Sequence, residues 1–210
     1  MNELNKSLIK NFWRNQSLRD SNRWTDSNLL EFEISYITQK RPQDFKSIKI
    51  LDLGSGSGEL SKRLQEYGDI LNAVDFEENY RRFFQESDSQ FFIHSDVIGF
   101  ESEENFDIIL LCGVVTHLTK TEEGQIYEKV SKLLAPRGFA VIKHQMSINK
   151  EFIVNTYSEA LGENYSARYS SFLETEVKLK SIFQEVELVE YPKTFNKFDN
   201  SKHVAFLVKK

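Results

Sequence analysis

The feature that most limits what this chain can fold into is an alternation. From residue 47 to 144, short apolar runs rich in β-branched and aromatic residues take turns with segments of helical periodicity. The runs are "SIKILDL" (47–53), "ILNAVD" (70–75), "QFFIHS" (90–95), "FDIILLC" (106–112) and "GFAVIKH" (138–144). "EVELVEY" (185–191) and "HVAFLVK" (203–209) follow and bring the candidate strands to seven. Between the early runs, residues 59–67, 77–85 and 121–135 space their apolar side chains three and four apart, as an amphipathic helix requires. Strands separated by helices pair in parallel through right-handed crossovers, because a tight turn cannot reach a parallel neighbour. The expectation is α/β: a doubly wound, seven-stranded, mostly parallel sheet. The last two strands have only "PKTFNKFDNS" (192–201) between them, which predicts a C-terminal antiparallel hairpin. Thr119 and Glu122 have the spacing of a capping box, and "PRG" at 136–138 reads as a helix stop.

Before the first strand, residues 5–39 predict an N-terminal helical cap. Thr25 or Asp26 caps a helix running to about Thr38, with Leu29, Leu30, Phe32, Ile34 and Ile37 as an uneven apolar face. Trp13, Arg14, Arg23 and Trp24 mix large apolar and cationic groups, which suits a lid over a ligand or a packed structural extension. Residues 149–183 read as two helical pieces parted by "LGENYSARYS" (161–170). With three prolines and no Gly/Ser-rich tract, residues 1–210 read as a single domain. Its parts are a cap (1–46), a core (47–144), acceptor-pocket helices (145–183) and the hairpin (184–210).

A formal net charge of -5 argues against a protein held mainly on a nucleic-acid backbone. The single Cys112 excludes an internal disulfide, the first residues carry no apolar signal-peptide core, and no run approaches about 20 apolar residues. The expectation is a soluble, cytoplasmic protein, monomeric or homodimeric.

"KILDLGSGSGEL" (49–60) places Gly54, Gly56 and Gly58 directly behind the first strand. A strand turning sharply into a helix there presents unpaired backbone N–H groups backed by the helix dipole. Gly54 and Gly56 let a ligand lie against the backbone, and Gly58 lets the helix begin close to the strand. A plain tight turn would explain the same residues. A dinucleotide fingerprint would need glycine at 59, where Glu59 stands. Asp75, 23 residues beyond Asp52, closes the second strand, where a carboxylate can accept from both hydroxyls of a ribose.

From about Ile48 to His144 the chain resembles the class I S-adenosylmethionine-dependent methyltransferases, of the type acting on small molecules. "ILDLGSGSG", "AVDFEE" (73–78), "SDV" (95–97), "FDIILLCGVVTHL" (106–118) and "LLAPRGFAVIK" (133–143) stand in the family's order. The resemblance implies S-adenosylmethionine as cofactor and S-adenosylhomocysteine as product. It implies that Asp52, Gly54, Ser55, Gly56 and Gly58 form the methionine-end loop, with Asp52 ordering the loop and the cofactor's ammonium. It further implies Asp75 on the ribose, Phe76 beside the adenine, Asp96 on the adenine amino group, Val97 backbone on the ring, and the backbone of Cys112 and Gly113 on the methionine portion. Alternative roles remain for Asp52, as a buried carboxylate bonding loop amides, and for Asp96, as an exposed loop aspartate.

Methyl transfer needs alignment and, for an alcohol acceptor, removal of a proton. His117 and His144 stand just beyond the fourth and fifth strands and are the candidate catalytic residues. A packing role beside the pocket is the competing explanation for His117, and a polar strand end for His144. His94 reads as structural, and His203 as lying away from the cleft. Lys143, Tyr165, Arg168 and Tyr169, with Trp13 and Arg14 from the cap, are the candidate substrate-binding residues, an arginine between phenols being suited to phosphate or carboxylate. No metal is expected, because "LLCGVV" has no aspartate after the fourth strand, where the family's metal-dependent members carry one. Cys112 lacks the context used by cytosine carbon methyltransferases, and the Asn/Asp-Pro-Pro-aromatic motif of DNA amine methyltransferases is missing. The expectation is metal-independent methyl transfer to a small metabolite such as an anionic sugar, sugar phosphate or glycan precursor, with no membrane partner and nucleic acid disfavoured. An RNA or protein methyltransferase and a non-catalytic cofactor-binding protein are the alternatives. A nicotinamide oxidoreductase is disfavoured by Glu59.

Overall fold

A computed structural model of the chain describes residues 3–19, 26–41, 47–65, 70–159, 162–196 and 198–210. Arg23, Trp24 and Thr25 lie outside them. The strands are β1 (Lys49–Leu53), β2 (Ile70–Asp75), β3 (Gln90–His94), β4 (Phe106–Cys112), β5 (Leu134–Ser147), β6 (Phe152–Ser158), β7 (Glu163–Tyr169), β8 (Glu185–Glu190) and β9 (Ser201–Lys209). The α-helices are α1 (Lys6–Ser17), α2 (Ser27–Lys40), α3 (Glu59–Gln65), α4 (Lys120–Leu133) and α5 (Phe172–Ile182).

Seven strands form one sheet in the order β3-β2-β1-β4-β5-β9-β8. The first five pair in parallel, and β9 runs antiparallel between β5 and β8. This is the class I methyltransferase fold. Because side chains alternate along a strand, the sheet feeds two cores. Leu51, Ile109, Leu111, Ile142 and Phe206 pack under α4 and α5 with Ile126, Val130 and Leu179. Ile50, Ile108, Leu110, Val141 and Leu207 pack on the other face with Ile34 and Ile37 of α2 and Leu64 of α3. The strand order reverses between β1 and β4, successive strands adding first to one side and then to the other, so their carboxyl ends open a crevice at the topological switch point, where ligands of such sheets bind.

Helix starts follow the local chemistry. The capping box of α4 is present: Thr119 Oγ1 accepts from the Glu122 N–H, and Glu122 Oε2 accepts from the Thr119 N–H at 2.8 Å. Asp26 caps α2 by accepting from the Asn28 N–H at 2.8 Å. Residues 77–85 tighten to a 3₁₀ helix over Glu78–Phe83 rather than an α-helix.

Two expectations are corrected. Residues 149–183 are not two helices: β6 and β7 pair as an antiparallel hairpin, Phe152 opposite Tyr169 and Ser158 opposite Glu163, and only α5 is helical. "FIVNTYS" and "ENYSARY" are dominated by β-branched and aromatic residues that favour a pleated surface, and Phe152 stacks on Tyr169 at 4.8 Å. Pro136-Arg137-Gly138 is not the helix stop either, since α4 ends at Leu133 and these residues sit in an irregularity within β5. Gly138 is required there: a Cβ would lie 2.6 Å from the Asp107 carbonyl oxygen.

The cap helix α1 lies along β7 and is tied at both ends. The Asn5 N–H donates to Ser166 Oγ at 3.0 Å, and Lys6 Nζ donates to the His117 carbonyl at 3.0 Å and to Glu122 at 2.5 Å. At the other end Arg82 donates to the Ser17 carbonyl at 2.8 Å, and Arg19 pairs with Glu163 at 3.0 Å. Among the described residues, no helix is long and apolar enough to cross a membrane.

Candidate active site

The carboxyl ends of β1, β2, β4 and β5 open into a cavity of about 430 Å³. Its floor at one end is the loop after β1. Gly54 and Gly56 have φ of 77° and 53°, conformations that an L side chain rarely adopts. A Cβ on Gly54 would lie 2.2 Å from Val114, whereas one on Gly56 meets nothing within 4 Å. The loop therefore keeps a bare backbone surface toward the cavity at Gly56. Asp75 holds it in place: Oδ2 accepts from the Gly56 N–H at 2.8 Å and Oδ1 from the Glu77 N–H at 2.9 Å.

Asp52, Gly54, Ser55, Gly56, Asp75, Phe76, Asp96, Val97, Cys112 and Gly113 all line this cavity. Gly58 does not. It permits close packing instead, since a Cβ there would lie 2.6 Å from the Phe84 ring. Burial pushes both strand-end carboxyls up, Asp52 to about 6 with a further rise from Asp75, and Asp75 to about 6 against the pull of its backbone donors. Burial raises the Cys112 thiol to about 12, so it stays protonated and inert.

The other end of the cavity is walled by Trp13, Tyr165, Tyr169, His117 and His144, with Gln145 and His203 beside them. The Trp13 ring meets His117 edge-on at 5.4 Å, and Tyr165 meets His117 at 5.9 Å. His144 is buried, its Nε2 bonded to Ser170 Oγ at 3.1 Å. The Nδ1 atoms of His117 and His144 have no hydrogen-bond partner among the described residues. Burial lowers His144 to about 3, helped by Arg168 and His203, and lowers His117 to about 4. Both are neutral imidazoles at neutral pH.

Three expectations change here. Arg168 does not face the cavity. Its guanidinium is buried and spent on Glu123 at 2.6 Å, Glu151 at 2.5 Å and the Leu118 carbonyl at 2.7 Å. Residues alternate along β7, so Tyr165 and Tyr169 reach the cavity while Arg168 turns away beneath it. Arg14 points outward to Glu77 at 3.8 Å, because Ile9 and Trp13 occupy the cavity-facing stripe of α1. His203 lies at the cavity, since β9 pairs antiparallel with β5 and sets it opposite Gln145. His94 bonds the Phe76 carbonyl through Nε2 at 2.9 Å, a structural role.

Lys143 lines the cavity but is paired with Glu33 of α2 at 2.8 Å. Glu33 is missing from the sequence-derived set, as are Lys6, Ile9, Lys10, Leu29 and Thr116, which also line the cavity. A signal for Glu33 existed: it continues the i+4 series Leu29, Glu33, Ile37 on the buried stripe of α2. Among the described residues, no cluster of three or more His, Cys, Asp or Glu side chains is arranged to hold a metal ion.

The sheet order, with the glycine loop after β1 and carboxylates at the ends of β1 and β2, is that of the class I methyltransferase fold. Residues 50–138 match the family described as "Methyltransferase domain". The chain is 26% identical over 165 residues to phosphoethanolamine N-methyltransferase of Plasmodium falciparum, covering 69% of this chain and 62% of that one. It is 30% identical over 135 residues to the putative methyltransferase YqeM of Bacillus subtilis, covering 59% and 53%. It therefore spans less than two thirds of the length of these curated relatives. A similar solved structure is the Burkholderia thailandensis 1,6-didemethyltoxoflavin-N1-methyltransferase with bound 1,6-didemethyltoxoflavin and S-adenosylhomocysteine: TM-score 0.70, 18% identity, covering 100% of this chain and 92% of that one.

Proposed function

We propose that this chain binds S-adenosylmethionine over the glycine loop and transfers its methyl group to a small molecule held against Trp13, Tyr165 and Tyr169. The observation that carries the reading is the continuous cavity, with a bare loop and two carboxylates at one end and a wall of Trp13, Tyr165, Tyr169, His117 and His144 at the other. The residues suit the cofactor. Gly56 and Gly113 leave open space where a side chain would stand, and Asp75 keeps its carboxylate at the end of β2, where a ribose lies in this fold.

When bound, the cofactor supplies an electrophilic methyl on a sulfonium centre. The chain's own residues align, hold and dry the site. Asp52 and Asp75 fix the loop and the cofactor's polar groups, with Phe76, Asp96 and Val97 along the adenine side. Lys6, Ile9, Lys10 and Trp13 of α1 close the cavity from above, which favours a small acceptor over RNA or a protein. His117 and His144 wall the acceptor end as neutral rings whose Nδ1 atoms are buried. A base with its pKa near 3 or 4 accepts a full proton poorly at neutral pH, so these imidazoles orient the acceptor more than they ionise it.

The acceptor class is a small polar metabolite. An anionic sugar, sugar phosphate or glycan precursor loses the support expected of Arg168; of the cavity-lining lysines, Lys143 is paired with Glu33 and Lys6 with Glu122, which leaves Lys10. The named substrate of the Plasmodium relative, phosphoethanolamine, is likewise small. Labelled methyl from S-adenosylmethionine, offered to a cell extract split by mass, tests the reading. Label in the low-mass fraction supports it. Label only in RNA or protein would replace the small acceptor with a macromolecule.

A further inference from the structure

We propose that Glu33, delivered by the cap helix α2 from outside the family-matched segment, is a cofactor-binding residue that shares the methionine ammonium with Asp52. This rests on the cofactor reading above. Glu33 is 1% exposed and lines the cavity beside Asp52, Cys112 and Lys143. Its two hydrogen bonds, from Lys143 Nζ at 2.8 Å and Tyr191 Oη at 2.9 Å, both fall on Oε1. Oε2 accepts none among the described residues. Oε2 is not among the fully buried unsatisfied oxygens, so with Glu33 in the cavity lining it is an acceptor open to a cationic donor arriving from the cavity.

Charge leads to the same conclusion. Glu33 and Asp52 bring two carboxylates to this end of the cavity, and Lys143 brings one ammonium. One negative charge is left over. The methionine end of a sulfonium donor carries an ammonium, a carboxylate and the sulfonium itself, a net charge of plus one. The ammonium is thereby assigned to Glu33 Oε2 and Asp52, and Lys143 is the cation beside them available to the ligand carboxylate. Tyr191, in turn bonded to Tyr36 Oη at 3.2 Å, fixes the Glu33 rotamer, so the oxygen is presented in advance. The cap then completes the cofactor site rather than only covering the acceptor.

The test is calorimetric titration of the full chain with two ligands, S-adenosylhomocysteine and 5′-methylthioadenosine, the second of which lacks the amino-acid end. Glu33→Gln is expected to weaken S-adenosylhomocysteine by about ten- to a hundredfold, the loss typical of a charge-assisted bond, and to leave 5′-methylthioadenosine unchanged. The double variant Glu33→Gln/Lys143→Met removes the ion pair as a unit, avoids an uncompensated buried lysine, and should show the same split. Equal weakening of both ligands, or unaltered S-adenosylhomocysteine binding in either folded variant, overturns the proposal while leaving the cofactor reading intact. A wild-type chain that binds neither ligand overturns both.

Discussion

Asp75 Oδ2 accepts the backbone N–H of Gly56 at 2.8 Å. The carboxylate that the sequence marks for a ribose is thus also the anchor of the glycine loop, joining the end of β2 to the turn after β1. Burial of this carboxylate beside Asp52 is unfavourable without a ligand, and the raised pKa of each records that cost. The site keeps its charges at the expense of the ligand-free fold.

Asp52→Asn should therefore stabilise the ligand-free protein. The folded pKa of about 6 lies above the ordinary value of 3.8, so this group's contribution is intact below pH 3.8 and is lost as pH rises through 6. The variant should be more stable than wild type above pH 6, by an amount on the order of 3 kcal/mol, seen as a higher melting temperature, and converge with it near pH 4. Its affinity for S-adenosylhomocysteine should fall. Thermal melts across pH 4 to 8 check the first claim and calorimetry the second.

His144 titrates with the opposite sign. Its folded pKa, near 3, lies below the ordinary 6.5, so its contribution is intact above pH 6.5 and is lost as pH falls toward 3. His144→Gln, which can keep a bond to Ser170, should narrow its stability deficit against wild type as pH drops from 7 to 4. The pH profile of methyl transfer should show no inflection from His117 or His144 between pH 6 and 8, a range that rate measurements cover directly.

Arg168→Met should destabilise the fold by about 3–5 kcal/mol, the cost of leaving one side of a buried ion pair uncompensated. Glu151 would lose its short guanidinium contact, and Glu123 would keep only Lys178 at 3.1 Å. Denaturant unfolding measures the loss. The variant that remains folded should keep the wild-type KM for the acceptor, which separates this structural role from the expected substrate contact.

Trp13→Ala should raise the acceptor KM roughly tenfold, about the worth of a partly buried aromatic contact, with little change in cofactor affinity. Trp13 belongs to the acceptor end, against His117 at 5.4 Å, so initial-rate kinetics with the identified acceptor distinguish it from residues of the loop.

Sheet and loop were legible in the sequence because each follows from local pattern: apolar runs alternating with helical spacing, glycines directly behind β1, and Asp75 closing β2. What was not legible depends on partners distant in the chain. Arg168 reads as a substrate fork until Glu123, 45 residues away, is seen beneath it. The β6–β7 hairpin was hidden because its runs mix apolar and polar residues without strict alternation. His203 entered the cavity through antiparallel pairing with β5, a register that spacing alone does not give. Glu33 was visible only as an acid on an apolar stripe, and its meaning required Lys143, 110 residues on.

The most direct measurement is titration of the purified chain with S-adenosylhomocysteine, beside an Asp75→Ala variant. The account predicts one saturable site per chain and a loss of affinity of at least about tenfold in the variant, as expected when a carboxylate that bonds a ribose and orders the loop is removed. A wild-type chain that gives no binding heat and no thermal shift, or a variant that binds equally well, would contradict it.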